Sequence, residues 1–303
     1  MCAIRFFPLP CCRFVQGVAL SEAWHVYTWH YGKYGRLGRS GEPGAPRQVG
    51  PGRFGGEKVV FVAAGGDHTV AVTAGGRLYT WGSGYNGQLG HGDTGNRLVP
   101  TLVGAGAFGG SAVVMAACGG AHTLAVTHDG ALWACGWGLF GQLGLNDEAK
   151  RRVFERVGAG VFGGARIVAA AAGHAHSAAV TEDGALWTWG YGSDGRLGHG
   201  DKEGRRVPTM VAGAGLGGGR IGRCRALAAE HALALAMGTH GRLGAASPVR
   251  CLAGEVELLR MIVGWCQQWL GGEAGRKEGV VRLAGGGWML ESVRNLHAVS
   301  PGS

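Results

Sequence analysis

Four histidines recur at nearly constant spacing in this chain of 303 residues, at His68, His122, His176 and His231. Histidine is a common zinc ligand, and His174 stands two residues before His176. Zinc ligands must all lie about 2 Å from one ion, whereas residues 54 or 55 positions apart fall in separate units of a repeat. We therefore expect no metal site. Each histidine is interpreted as a buried imidazole that hydrogen-bonds backbone groups at a turn.

The sequence also lacks the motifs typical of nucleophilic catalysis and of phosphate binding. No Gly-x-Ser-x-Gly elbow is present, and the Trp-Gly-x-Gly stretches lack the Lys-Ser/Thr of a P-loop. The recurring aspartates stand beside or near glycines, where a carboxylate caps its own turn. They are Asp93, Asp129, Asp183 and Asp201. The sequence predicts neither an enzyme in its own right nor a cofactor.

The histidines belong to a longer sequence repeat. Each of the first three precedes a hydrophobic run, a large or sulfur-containing residue and a Leu-Gly turn. Trp81 and Trp189 hold the aromatic position, and Cys135 replaces it in the copy between them. The leucines of the turns are Leu89, Leu143 and Leu197. Markers in one phase from residue 21 to residue 245 predict a repeat architecture.

Each repeat unit predicts four short strands. In the unit around His68 they are expected at 58–63, 68–73, 77–81 and 97–103, with a glycine-containing hairpin turn after the second. Several runs are apolar on both faces, unlike a sheet with one face in water. Small four-stranded sheets covered on both faces are the blades of a β-propeller. The repeated histidines, tryptophans and leucines are therefore expected to be structural.

Composition agrees with a packed β-structure. Glycine contributes 62 residues, yet hydrophobic residues make up 46% and tryptophan occurs 10 times, so the chain can form a core. The net charge of +9 favours an acidic partner, although the basic residues are scattered. Eight cysteines without a Cys-x-x-Cys motif favour a reducing compartment. We expect a cytoplasmic or nuclear protein that is neither secreted nor embedded in a membrane.

The phrases Gly-Gly-x-His-Thr, Trp-Gly-x-Gly and Gly-Gln-Leu-Gly resemble the repeat of the regulator of chromosome condensation family. The best copies span residues 65–90, 119–144 and 173–198. The resemblance implies an all-β fold, a β-propeller of that family's blade type, over residues 21–245. Members with a full ring have seven blades. This propeller is expected to be incomplete, with about four to five recognisable blades.

Both ends of the repeat region depart from the family pattern. The first copy, from Ser21, lacks the glycine pair, and the last copy lacks most of its hairpin between His231 and Gly238. Residues 1–20 and 246–303 carry no repeat, and 255–270 predicts an amphipathic helix. An incomplete propeller would expose an apolar blade face. Capping by the terminal segments, pairing with another chain, and a fragment or faulty gene model all stay open.

Propellers bind partners through the loops at one rim. The variable turns here carry aromatic residues and arginine, the usual interface anchors. The candidates are Tyr34, Arg36, Tyr85, Phe140, Tyr191 and Arg196. In the alternative interpretation, these rings pack against their own loops. The resemblance implies a protein-interaction scaffold that acts through its rim loops.

The resemblance also implies two other functions. One is guanine-nucleotide exchange on a Ran-type small GTPase, which in the family relies on a loop inserted in one blade, and the intact repeats here hold to 54 residues without such an insertion. The other is chromatin association, which would draw on the positive charge. The first 20 residues hold only Arg5 and Arg13, so the basic tail expected for DNA is missing. A protein is thus the expected partner, with a small GTPase and nucleic acid as alternatives.

Overall fold

The computed structural model of the protein describes residues 4–6, 16–21, 23–40, 44–50, 52–158, 160–211, 278–282 and 288–292. The chain divides into two compact units, Met1–Ser247 and Pro248–Ser303. In the first unit, four antiparallel sheets each contain four consecutive strands. We call these sheets blades 1 to 4. His231 and the helix expected at 255–270 lie outside the described residues.

In blades 2 to 4, short turns join the first three strands and a longer loop leads to the fourth. Blade 1 contains β1 (Ile4–Phe6), β2 (Gln16–Ser21), β3 (Val26–His30) and β4 (Gly44–Gln48). Blade 2 contains β5 (Val59–Ala64), β6 (His68–Thr73), β7 (Leu78–Gly82) and β8 (Arg97–Leu102). Blade 3 contains β9 (Val113–Cys118), β10 (His122–Thr127), β11 (Leu132–Gly136) and β12 (Arg151–Arg156). Blade 4 contains β13 (Ile167–Ala172), β14 (His176–Thr181), β15 (Leu186–Gly190) and β16 (Arg205–Met210).

The remaining regular elements are short. Single 3-10 turns occur at Lys33–Gly35 and Ser193–Gly195. In the second unit, β17 (Glu278–Arg282) pairs antiparallel with β18 (Trp288–Ser292). No helix among the described residues has the length and apolar character needed to cross a membrane.

The predicted fold class is confirmed for the described repeat region, which is all-β and built from four-stranded antiparallel sheets. The runs expected at 58–63, 68–73, 77–81 and 97–103 correspond to β5, β6, β7 and β8. Pro100 lies in β8, which has a neighbour on one side only. The missing proline N–H is tolerated in such an edge strand.

Blade 1 begins before residue 21, where the sequence markers start. Its strand β2 takes the place of β6, because Gln16 pairs with His30 as His68 pairs with Gly82. A glutamine therefore stands where the other blades have histidine. Gly38 and Gly90 are 52 residues apart, and the residue 52 positions before His68 is Gln16. The repeat spacing therefore already identifies this position.

The blades pack through their first two strands. Strand β9 contacts both β5 and β13, and β6 and β10 each pack against the first strand of the following blade. We call the contact between consecutive blades a seam, so that the first seam joins blades 1 and 2. The hydrophobic core lies in these seams: one buried cluster combines Val70 and Leu78 of blade 2 with Cys135 of blade 3. Trp81 and Trp189 are fully buried.

Glycine pairs close the seams beside the first strands. The Gly66 N–H donates to the Gly119 carbonyl at 3.0 Å, and the Gly120 N–H donates to the Gly173 carbonyl at 3.3 Å. A Cβ atom on Gly119 would lie 2.2 Å from Cε1 of His122 and 2.5 Å from the Gly173 carbonyl oxygen. Because a buried ring and a neighbouring backbone both block it, this position requires glycine.

Candidate interaction surface and the seams that position it

Two of the recurring histidines, His68 and His122, reach across the seams to hydroxyl groups. His68 Nε2 lies 2.8 Å from Thr123 Oγ1, and His122 Nε2 lies 2.9 Å from Ser177 Oγ. The Thr123 hydroxyl donates its hydrogen to the Gln88 carbonyl at 2.6 Å. It must therefore accept from His68, which fixes the imidazole as the Nε2–H tautomer. The sequence interpretation expected backbone partners at a turn; the partner is instead a side chain of the next blade.

The first seam has the same arrangement with an amide in place of the imidazole. Gln16 Nε2 donates to Thr69 Oγ1 at 2.7 Å and to the His68 carbonyl at 2.8 Å. The Thr69 hydroxyl donates to the Arg36 carbonyl at 2.8 Å. Trp81 Nε1 donates to that same carbonyl at 2.9 Å. Two donors of blade 2 thus hold one backbone atom of blade 1.

These carbonyls belong to the loops between the third and fourth strands, which we call the rim loops: 31–40, 83–96, 137–150 and 191–204. In the third seam, the Gln142 carbonyl accepts from Ser177 Oγ at 2.7 Å and from Trp189 Nε1 at 2.9 Å. The leucines predicted to lie beneath the turns, Leu89, Leu143 and Leu197, are all buried. The rim loops of blades 1 to 3 are therefore each fixed to the following blade by its Thr or Ser hydroxyl and by Trp81, Cys135 or Trp189.

Burial keeps the seam histidines neutral. Desolvation, aided by the Arg36 charge, lowers the pKa of His68 from 6.5 to about 3. Desolvation and the neighbouring histidines lower the pKa of His122 to about 3 as well. A neutral ring keeps one N–H for the hydroxyl of the next blade. Within the described ranges, no three His, Cys, Asp or Glu side chains lie close enough together to hold a metal ion.

Arg36 is buried in the first seam, which corrects the expectation that it is an exposed interface anchor. Its side chain is 2% exposed and forms an ion pair with Asp67 of blade 2. Nη1 also donates to the Gly66 carbonyl at 2.7 Å, and the guanidinium lies 5.1 Å from the Tyr31 ring centroid. A buried guanidinium must be paired, so Arg36 closes the seam.

Phe154 compensates for the missing tryptophan in the second seam. A Cβ atom on the turn glycine Gly90 would meet the Phe154 ring at 2.4 Å and Cys135 Sγ at 3.5 Å. In the third seam, the equivalent atom would meet Trp189 at 2.9 Å and Pro208 at 3.1 Å. Phe154 and Cys135 therefore fill the space that Pro208 and Trp189 fill one blade later.

Ion pairs stiffen the second half of three rim loops. The pairs are Asp93–Arg97 at 2.6 Å, Asp147–Arg151 at 2.5 Å and Asp201–Arg205 at 2.5 Å. Asp93 also accepts the backbone N–H of Gly95 at 2.8 Å. Hydrogen bonds from Arg97 and Gly95 hold the pKa of Asp93 below its usual value. Asp93 thus caps its loop in its charged form.

The first half of the rim loops exposes large apolar side chains. Tyr85 is 73% exposed, Leu139 is 49% exposed and Tyr191 is 38% exposed, while Phe140 is half-buried. Cations lie over the tyrosine rings: Lys33 over Tyr34 at 4.8 Å, Lys150 over Tyr85 at 5.6 Å and Arg196 over Tyr191 at 4.8 Å. The rings therefore pack partly against loop residues and remain partly accessible, which suits both interpretations offered by the sequence.

Three of the candidate residues, Phe140, Tyr191 and Arg196, form a continuous group at the third seam. The rings of Phe140 and Tyr191, from different blades, have centroids 4.7 Å apart, and Trp137 lies 5.2 Å from Phe140 on the other side. Trp137 was not among the candidates from the sequence, although it holds the same loop position as Tyr191. Beside these rings is an open cavity of about 210 Å³, which we call the third-seam cavity. It is lined by Leu139, Phe140, Glu148, Tyr191, Gly204 and Arg206.

Parts of two known proteins are similar to this chain in sequence. The ultraviolet-B receptor UVR8 of Arabidopsis thaliana is 43% identical over 156 residues, which cover 52% of this chain and 34% of the receptor. The E3 ubiquitin-protein ligase HERC2 of Mus musculus is 39% identical over 198 residues, 65% of this chain and 4% of the ligase. The chain therefore spans about a third of the receptor's length and a far smaller part of the ligase.

Two solved structures superpose on this chain. Human WBSCR16 superposes with a TM-score of 0.60 at 29% identity, covering 66% of this chain and 51% of that chain. Prp20p of Saccharomyces cerevisiae superposes with a TM-score of 0.57 at 23% identity, covering 66% of this chain and 49% of that chain. Residues 14–241 match the family described as the RCC1-like domain. The chain therefore belongs to the RCC1-like domain family.

Proposed function

We propose that this protein is a protein-interaction scaffold that binds its partner through the rim loops. The observation that carries the proposal is the exposure of Tyr85, Leu139 and Tyr191 on the rim loops, of which 83–96 and 137–150 are tied to the following blade. Large apolar side chains held on a rigid frame lose little entropy on binding. Aromatic residues and arginine also dominate the energy of most protein interfaces.

The rim can be tested with a matched pair of triple variants of the full chain. In the rim variant, Tyr85, Leu139 and Tyr191 are replaced by serine. In the control, serine replaces Val60, Leu102 and Val168, which are 40%, 43% and 45% exposed but lie outside the rim loops. Thermal unfolding first establishes that both variants are folded.

Proteins captured from a cell extract are then compared by mass spectrometry. We expect a set of proteins that wild type and control retain and that the rim variant loses. An identical set on all three baits, or a loss with the control variant alone, would show that the rim loops are not the binding surface.

Guanine-nucleotide exchange is the second candidate. It is favoured by the yeast structural neighbour Prp20p, a protein with binding properties toward Gsp1p and histones. Acceleration of fluorescent-nucleotide release from a Ran-type GTPase would support exchange activity, and a flat trace would reject it. The intact repeats of blades 2 to 4 keep their 54-residue spacing without a blade insertion, so we place this function second.

Chromatin binding would have a different signature. If the charge of +9 holds the protein on DNA, retention on a DNA column should fall steeply as salt rises. Retention that does not change between low and physiological salt would argue against an electrostatic role.

A further inference from the structure

The third-seam cavity has one apolar side. Tyr191 is covered on its faces by Phe140 at 4.7 Å and by the Arg196 guanidinium at 4.8 Å, so the ring is held in place. Leu139, next to Phe140, leaves about half of its surface in contact with water. An exposed leucine beside fixed aromatic rings is a suitable surface for an apolar side chain of a partner.

The cavity is also lined by an ion pair between Glu148 and Arg206, in which a partner's carboxylate can replace Glu148. Arg206 Nη2 lies 2.7 Å from Glu148 Oε1, and both side chains are largely exposed, at 61% and 47%. Exposed pairs of this kind contribute little to stability. A carboxylate arriving with a partner can therefore replace Glu148 on Arg206 at little cost, since a guanidinium can bind a carboxylate through two parallel hydrogen bonds.

The surrounding charge favours an acidic partner. Three further carboxylates of these two rim loops already pair with arginines, namely Asp147 with Arg151, Asp194 with Arg196, and Asp201 with Arg205. Glu203 has no described salt bridge. Against it stand two exposed cations of these loops without a described carboxylate partner: Lys202, and Lys150, which lies over the Tyr85 ring. The two loops that border the cavity thus carry more free positive than negative charge.

The first seam does not repeat this chemistry. Leu98 occupies the strand position of Arg206, because Arg97 and Arg205 pair with equivalent glycines, Gly82 and Gly190. The Leu98 side chain packs so closely on Gly35 that a Cβ atom there would lie 2.6 Å away. The combination of an apolar side and an exchangeable guanidinium is therefore a property of the third seam and is not shared by the first.

We propose that the third-seam cavity receives an apolar side chain from an acidic segment of a partner protein, whose adjacent carboxylate displaces Glu148 from Arg206. This inference rests on the proposed function and specifies its partner. The apolar side chain would lie against Leu139 and Phe140. Lys150 and Lys202 of the two rim loops would attract the remaining acidic residues of the segment.

A displayed library of random 12-residue peptides, selected on the full chain, tests the proposal. We expect the enriched peptides to carry Asp or Glu within two residues of Leu, Met, Phe or Trp. Resynthesised, fluorescein-labelled peptides should bind at least about tenfold more weakly to Arg206→Glu and to Leu139→Ser. The matched controls, Lys58→Glu and Leu102→Ser, change exposed residues outside the rim loops and should leave the affinity unchanged.

Charge reversal separates recognition from a structural effect. If the peptide carboxylate binds Arg206, changing that Asp or Glu of the peptide to Lys should restore binding to the Arg206→Glu variant. Absence of any enrichment, enrichment of peptides without an acidic–apolar pair, or equal binding to Arg206→Glu would overturn the inference. The comparison of the rim and control variants does not depend on these peptides, so the scaffold proposal can survive that failure.

Discussion

His68 of blade 2 and Thr123 of blade 3 are 55 residues apart in the chain and are joined by a 2.8 Å hydrogen bond inside the second seam. The Thr123 hydroxyl in turn donates to the carbonyl of Gln88, which lies in the rim loop of blade 2. In blades 2 to 4, one hydroxyl-bearing residue, Thr69, Thr123 or Ser177, therefore links its blade to the preceding blade and to that blade's rim loop. The repeated polar residues act as structural connections, and the exposed side chains of the loops remain available for a partner.

Acid should weaken these seams well before the carboxylates titrate. In the unfolded chain, His68 and His122 take up protons near pH 6.5, whereas in the folded protein their pKa values are about 3. Between these values the unfolded state binds more protons than the folded state. The free energy of unfolding therefore decreases as the pH is lowered, by about 1.4 kcal/mol per pH unit for each histidine. Urea unfolding at a series of pH values from about 7.5 to 5 measures this slope.

A variant with His68→Gln and His122→Gln provides the control for the acid prediction. Glutamine keeps an N–H donor, as Gln16 does in the first seam, and cannot be protonated in this range. Its unfolding free energy should depend less steeply on pH. A slope equal to that of wild type would show that the acid sensitivity arises elsewhere.

Alanine at two glycines should have opposite effects. At Gly119 the new Cβ would lie 2.2 Å from the His122 ring, so Gly119→Ala should cost near the upper end of the ~1–3 kcal/mol typical of overpacking. Gly104 has no neighbour within 4 Å and no positive φ. Gly104→Ala should be neutral or stabilise by up to about 1 kcal/mol, because it restricts the unfolded chain. Equal thermal shifts in the two variants would contradict the role given to the glycine pair.

The ion pair in the first seam should respond asymmetrically to mutation. Asp67→Ala leaves the buried Arg36 guanidinium without its carboxylate and should cost about 2–3 kcal/mol. Arg36→Gln leaves behind Asp67, which is nearly half exposed and can be hydrated, and should cost about 1 kcal/mol.

Combining these two substitutions produces a sequence like that of the second seam, where Gln88 and Ala121 hold the equivalent repeat positions. The double variant should therefore be close to Arg36→Gln alone in denaturant unfolding. If the two costs simply add, the two side chains are not coupled in the way the structure indicates.

The strands and the blade architecture were predictable because they repeat. Four markers in one phase located β6, β10 and β14, and runs that are apolar on both faces distinguished stacked blades from a one-sided sheet. The burial of Trp81 and Leu89 follows from the same pattern. Residue types that recur at one spacing must occupy equivalent places.

The contacts across the seams could not be predicted in the same way, because spacing within a repeat does not say which atoms of neighbouring blades meet. Arg36 and Arg196 look alike in sequence, yet Arg36 is buried against Asp67 while Arg196 lies over the exposed Tyr191 ring. Gln16 was missed because it differs from histidine in type while sharing its donor function. Trp137 was missed because its loop already offers Phe140 as an aromatic anchor, although Trp137 shares the loop position of Tyr191.

In the second seam, Cys135 and Phe154 hold the positions of Trp189 and Pro208 in the third seam. The stability effects of substitutions at these two positions should therefore be coupled. Cys135→Trp alone brings an indole against the Phe154 ring and should cost about 1–3 kcal/mol. Phe154→Pro alone removes a buried ring and should cost about 3 kcal/mol or more. The double variant reproduces the Trp189 and Pro208 combination of the third seam, so it should recover most of both losses. A double-mutant cycle in urea measures the coupling, and a double variant that is less stable than either single variant would show that the second seam is shaped differently from the third.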